Sequence, residues 1–187
     1  MIIGGWLSSM IIYTTKQMIE EFGEAETNNK IHRFKCKLEK SIERDLKNRI
    51  VKSDTDRNTI THFILDEGNK HKILAFFTLK FDRIEKSLLG DTIFDIGSDD
   101  KFKSVYYIIF LARDDDAPRV NLNGNRLLDT AIEQIDHTRN KVGGINVVMI
   151  DACKEKVCNI YERYGFTKIP AIEEGKAITH FFLKLKK

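Results

Sequence analysis

Proline is nearly missing from this chain, with two residues among 187. No low-complexity run accompanies that scarcity, so there is little room for a disordered linker. Cysteine is almost as rare. Cys36, Cys153 and Cys158 are an odd number of thiols with no Cys-x-x-Cys spacing, and closely spaced Cys or His pairs for zinc are absent. Three reduced thiols in a cytosol are expected, and no metal. Long apolar runs are lacking too. The stretch from Met1 to Met10 is apolar but short, with no basic segment before it, which makes it neither a signal peptide nor a membrane span. Because Met10-Ile11-Ile12 repeats Met1-Ile2-Ile3, Met10 is a candidate natural start and residues 1–10 a candidate extension, non-native or flexible. A strong charge of one sign is also wanting. The formal net charge of +3 is too small to argue for nucleic acid by itself, so the placement of charges matters more.

What is present describes an ordinary globular chain, 42% hydrophobic and 32% charged, of a size for one domain spanning residues 1–187. Lys16 to Phe22 predicts a short helix and Gly23 to Asn29 a polar loop. Phe34, Leu38, Ile42, Leu46 and Ile50 recur every four residues, predicting one helix from Phe34 to Ile50 with a single apolar stripe and cationic other faces. Such a helix is a solvated, salt-bridged element or a positive face for a polyanion. Lys52 to Asn58 reads as a polar turn. Ile60 to Leu65 and Ile73 to Phe81, separated by Asp66-Glu67-Gly68-Asn69-Lys70, predict a hairpin. Arg83 to Ser98 is ambiguous. Ser104 to Ala112 is almost continuously apolar, as expected of a strand covered on both faces. Leu127, Leu128, Ala131, Ile132 and Ile135 mark a helix, Gly143-Gly144 its end, and Ile145 to Ile150 a second covered strand. A helix from Glu155 to Tyr164 and strands at Phe166 to Ile169 and Ala177 to Leu185 complete a mixed α/β sheet with parallel central strands.

Two places in that order can carry chemistry. The first is Asn121-Leu122-Asn123-Gly124-Asn125-Arg126-Leu127-Leu128, where a loop gives way to a helix. A helix start has unpaired N–H groups and a partial positive charge, which suit a pyrophosphate. Gly124 lets backbone approach the anion, Asn123 is placed to cap the helix, and Arg126 to add a charge-assisted hydrogen bond. The competing reading is a plain turn. The second is Asn159-Ile160-Tyr161-Glu162-Arg163-Tyr164-Gly165-Phe166, a helix end stopped by glycine. Val157, Tyr161 and Tyr164 share one side at helical spacing, as core aromatics would. The five histidines, His32, His62, His71, His137 and His180, form no constellation; His62 and His180 alternate with apolar residues in strands.

With the strand Ile145 to Ile150 between them, these two segments resemble the acetyl-CoA-binding half of the GNAT superfamily of N-acetyltransferases. The turn keeps the middle glycine of the family's pattern: Gln or Arg, two residues, Gly, one residue, then Gly or Ala. The resemblance implies the GNAT fold, a mixed central β-sheet with splayed central parallel strands flanked by helices. It implies acetyl-CoA as cosubstrate, its pantetheine amides and acetyl carbonyl held near Leu111, Ala112 and Arg113, and its pyrophosphate near Asn123, Gly124, Asn125 and Arg126. It implies that Tyr161, four residues before Gly165-Phe166, is the general acid that protonates the departing thiolate. The acceptor amine attacks directly, so Cys153 and Cys158 are packing residues.

The resemblance continues upstream. Phe34 to Ile50, Thr61-His62-Phe63-Ile64-Leu65-Asp66-Glu67 and Lys72-Ile73-Leu74-Ala75-Phe76-Phe77-Thr78-Leu79 are similar to the N-terminal half of the toxin GNATs of toxin–antitoxin pairs, giving a likeness from Lys16 to Leu185. It implies acetylation of the aminoacyl group on charged tRNA, a block on translation, and a ribbon-helix-helix antitoxin as partner. Basic residues from Arg33 to Lys52, and Lys154, Lys156, Arg163, Lys168, Lys176, Lys184, Lys186 and Lys187, would suit an RNA backbone, an acidic antitoxin tail or the CoA phosphates. The oligomeric state is left open, a homodimer included. Two other readings stand beside this one. One is a GNAT acting on a small-molecule or protein amine, with Asp114, Asp115 and Asp116 lining an acidic pocket. The other is a degenerate GNAT that only binds a partner.

Overall fold

The computed structural model describes residues 10–50, 54, 59–68, 70, 72–85, 101–118, 122–142, 145–169 and 178–185. The expected turn at Lys52 to Asn58 (Asp54 excepted), the end of the ambiguous stretch beyond Glu85, Asn121, the Gly143-Gly144 pair and the basic residues Lys176, Lys186 and Lys187 lie outside them. In chain order the elements are β1 (Met10–Thr14), α1 (Thr15–Phe22), α2 (Glu24–Arg33), a 3-10 turn (Lys37–Glu39), α3 (Lys40–Asp45), a wide π turn (Leu46–Ile50), β2 (Thr59–Asp66), β3 (Ile73–Glu85) and β4 (Phe102–Arg113). Then come α4 (Gly124–Val142), β5 (Val147–Ala152), α5 (Glu155–Tyr164), β6 (Thr167–Lys168) and β7 (Thr179–Lys184). Among the described residues seven strands make one mixed sheet in the order β1-β2-β3-β4-β5-β7-β6. The parallel pair is β4 with β5, in register Tyr106 to Val148, Tyr107 to Met149 and Ile108 to Ile150, and α4 is the helical connection that parallel neighbours require. The mixed α/β architecture read from the sequence is therefore the one observed.

By the density of its contacts the chain divides into two compact units, Met1–Leu79 with Phe110–Leu127, and Lys80–Ile109 with Leu128–Lys187. In the first unit the hairpin strands β2 and β3 are sheet neighbours, and β1, which the sequence reading passed over, pairs antiparallel with β2 from Met10–Asp66 to Thr14–His62. Met10 is thus a ladder residue. Thr14 then caps α1: its hydroxyl accepts from the Gln17 N–H while the Gln17 side chain accepts from the Thr14 N–H, a capping box. Met18, Ile31, Phe34, Leu46, Phe63 and Phe76 form the centre of this unit's core.

Two expectations fail here, for one reason. The segment after Gly23 is helix α2, although Ile31 is its one large apolar residue; polar Thr27 and Lys30 are buried with it. Acidic residues in its first turn and basic residues in its last complement the helix dipole. Conversely, the single helix expected from Phe34 to Ile50 is broken. Phe34 is extended (φ −62°, ψ 136°), Cys36 is non-helical, and helix resumes only after the 3-10 turn. Leu38, expected on the apolar stripe, is 78% exposed. Tertiary hydrogen bonds hold Phe34 to Cys36 out of helix and override the four-residue spacing.

In the second unit β7 pairs antiparallel with both β5 and β6. One face of this sheet segment packs Val105, Val147, Met149, Ile169 and Phe182 together, with Tyr107 and Ile84 at the margin. The helix α5 has the bounds expected of it, and the stripe Leu128, Ala131 and Ile135 of α4 is buried as expected.

Candidate active site

The end of α5 explains why tyrosine, glycine and phenylalanine occur at that spacing. Gly165 adopts φ 111°, a conformation that side chains with a Cβ disfavour. The Gly165 N–H donates to the Glu162 carbonyl (3.0 Å) and the Phe166 N–H to the Tyr161 carbonyl (3.0 Å), the two bonds of a Schellman motif. The apolar contact that accompanies that motif is Tyr161 against Phe166, with ring centroids 5.8 Å apart. Phe181 meets the Tyr161 ring edge-on at 5.7 Å. Tyr161 is therefore locked by its own helix cap and by β7, and only 6% of it is exposed. Burial, reinforced by the Asp151 carboxylate, raises its hydroxyl pKa far above the ordinary tyrosine value, so it is protonated at neutral pH. Tyr164 is less deeply placed than a core aromatic: its hydroxyl donates to Asp129 Oδ1 at 2.7 Å.

The sheet beside Tyr161 carries a cluster that no sequence motif announced. Asp151 on β5 stands opposite His180 on β7, and His180 Nδ1 lies 2.6 Å from Asp151 Oδ1. The Tyr107 hydroxyl hydrogen-bonds the same carboxylate; burial first, then that bond, raise the Tyr107 pKa strongly. Strand alternation sends His180 and Phe182 to the face opposite Phe181, and hence opposite the Tyr161 ring. Only the pairing of β5 with β7 brings Asp151 and His180 together across a sequence separation of 29.

The other expected site residues belong to the first unit. Leu111, Ala112 and Arg113 end β4. Ala112 is buried in the core cluster, and Arg113 Nη1 donates to the Ala117 carbonyl at 2.7 Å, bracing the loop that follows. Asn123 does cap α4: its Oδ1 accepts from the Arg126 N–H at 3.0 Å. Asn123, Gly124 and Asn125 are exposed and Arg126 half-buried.

The acidic loop is not a free acidic lining. Asp114, 2% exposed, accepts from the Lys35 N–H (2.8 Å) and the Asp116 N–H (3.0 Å), with Lys72 Nζ 3.4 Å away. The Asp115 N–H donates to the Lys35 carbonyl, and its carboxylate accepts from the Lys37 N–H. These bonds are what hold Phe34 to Cys36 out of helix. A cavity of about 360 Å³ opens there, with Lys30, Arg33, Lys35 and Lys72 outnumbering Asp114 and Asp116 on its walls. Its balance of charge is cationic, opposite to the acidic pocket expected for a small-molecule or protein amine.

His62 is a structural histidine. It is 8% exposed and stacks on Phe77 (4.8 Å, 10° between planes), and burial depresses its pKa to about 4. No His, Cys, Asp and Glu group with metal-binding geometry occurs among the described residues.

The sequence matches no protein-family model and no curated protein. Solved structures do match its fold. AtaT complexed with acetyl-methionyl-tRNAfMet superposes with a TM-score of 0.71 at 16% identity, over 94% of this chain and 94% of that one. A tyrosine-to-phenylalanine mutant of KacT gives 0.68 at 15% identity, over 92% and 94%. AtaTR bound with AcCoA gives 0.64 at 15% identity, over 94% and 93%. The protein shares its fold with AtaT and KacT, and its mixed central sheet with parallel central strands is the one that the resemblance to the GNAT superfamily implied.

Proposed function

We propose that the protein is an acetyl-CoA-dependent N-acetyltransferase that moves acetyl to a primary amine, the aminoacyl group of charged tRNA, and so blocks translation as a toxin. One observation carries the reading: the fold shared over 94% of both chains with AtaT complexed with acetyl-methionyl-tRNAfMet. In this reading Tyr161 is the general acid, and its raised pKa keeps the proton a departing thiolate needs. The start of α4 suits a phosphate, since the first N–H groups of a helix lack intrahelical partners and Asn123, Gly124 and Asn125 are open to approach. Asn123, Gly124, Asn125 and Arg126 hold the pyrophosphate, and backbone groups at Leu111, Ala112 and Arg113 hold the pantetheine amides. No protein nucleophile is required. Cys153, exposed, and Cys158, half-buried, take no part.

A cytoplasmic protein with a ribbon-helix-helix antitoxin as partner belongs to the same reading. AtaT has been solved bound to the C-terminus of the antitoxin AtaR. Among the described residues no helix is long and apolar enough to cross a membrane. The deciding experiment follows label from acetyl-CoA into a pool of charged tRNAs, with uncharged tRNA as control. Label on charged tRNA alone is expected; label on neither sinks the reading.

A further inference from the structure

Asp151 occupies the C-terminal end of β5, the end of a parallel strand where α/β sheets place their ligands. Its carboxylate only accepts hydrogen bonds, so His180 Nδ1 must be the donor across the 2.6 Å contact. That leaves Nε2 of His180 with its lone pair, able to take a proton. Tyr107 steadies the carboxylate from β4. The pair is partly open, with 35% of the His180 side chain and 28% of the Asp151 side chain exposed. A histidine oriented through Nδ1 by a carboxylate, with its second nitrogen on an accessible ring, is the arrangement of a general base. Tyr161 reaches the same strands from the opposite face, against Phe181, the residue next to His180.

We propose that His180, oriented by Asp151, is the base that takes the proton from the acceptor nitrogen. The assignment rests on the acetyltransferase reading above. As the nitrogen–carbon bond forms and the carbon–sulfur bond breaks, the nitrogen's proton passes to His180 Nε2 and the proton of the Tyr161 hydroxyl passes to the sulfur. Acid and base then act from the two faces of the sheet, one on the leaving sulfur and the other on the incoming nitrogen. The groups that bear on His180 are Asp151 on β5 and Tyr107 on β4, with Asp82 on β3 and Cys153 acting in turn on Tyr107. Lys184 lies four residues on along β7, and Lys168 on β6 stands opposite Phe181 and so faces the other way.

The test measures acetyl transfer to charged tRNA between about pH 6 and pH 9 for the full chain, His180→Gln and Asp151→Asn. At pH 7 His180→Gln is expected to lower kcat by about 100-fold, the usual scale of a lost general base, with acetyl-CoA affinity unchanged. The deficit should shrink as pH rises and solution deprotonates the amine. Asp151→Asn, which still offers Nδ1 an acceptor, should show a smaller loss with the same pH pattern. It also decides the matter should His180→Gln lose acetyl-CoA binding and hence its fold. A deficit that is absent or equal at every pH overturns the base while leaving the acetyltransferase reading intact. A wild-type protein that transfers no label overturns both.

Discussion

The proton on Tyr161 is secured by its surroundings. Burial and the charge of Asp151 both oppose ionisation, while Phe166 and Phe181 fix the ring. Tyr161→Phe removes only the hydroxyl, so kcat should fall by about 100-fold with acetyl-CoA affinity nearly unchanged. Equal turnover in the two proteins would remove Tyr161 from the chemistry. His62 makes a prediction about stability. In the folded chain it stays neutral down to about pH 4, whereas an unfolded histidine takes up a proton below about 6.5. Between those values the unfolded state binds more protons, so stability falls as pH falls, by roughly 3 kcal/mol in all, and this contribution levels off below pH 4. Urea unfolding at pH 7 and at pH 4.5 should reveal the loss, and His62→Phe should abolish that part of the pH dependence. An unchanged slope would mean the histidine does not remain neutral.

At the scale of elements, two segments read from the sequence fared differently. The Tyr161–Phe166 spacing is a helix cap written in sequence, because φ 111° at Gly165 calls for glycine and the motif pairs Phe166 with Tyr161. Gly165→Ala should cost about 1–2 kcal/mol, through conformation and not crowding, since nothing lies within 4 Å of the place an added Cβ would take. Thermal denaturation measures it, and an unshifted midpoint would contradict the strain. The Phe34–Ile50 periodicity misled because its first third is held by Asp114 and Asp115, about 80 residues away along the chain. Asp114→Ala removes the acceptor of the Lys35 and Asp116 N–H groups and leaves Lys72 only Asp116 as a partner, and should destabilise by roughly 3 kcal/mol, given about 1.5–3 kcal/mol for a hydrogen bond to a charged group. Asp114→Asn, which keeps an acceptor, should cost less. At the α4 start, Gly124→Trp should weaken acetyl-CoA binding by crowding the pyrophosphate while leaving the Asn123 cap in place. Unchanged affinity would place the phosphates elsewhere.

For the whole molecule, the functional reading commits to a polyanionic acceptor on a chain of formal charge only +3. Binding to charged tRNA should then depend steeply on salt. For about four phosphate contacts, affinity should fall on the order of 100-fold between 50 and 200 mM salt. Filter binding would show it, and a flat response would turn attention to small amines.

The amino-acid sequence by itself determined the strands β2, β4 and β5, the helices α1, α4 and α5, and the place of Tyr161. Each of these follows from local periodicity, capping or a glycine that the backbone requires. Only tertiary structure decided that α2 is helix, that Phe34 to Cys36 is not, that Met10 to Thr14 pairs with β2, and that Asp151 meets His180. Those outcomes depend on partners 29 to 79 residues distant in the chain, and a local pattern carries no record of a hydrogen bond made at such separation.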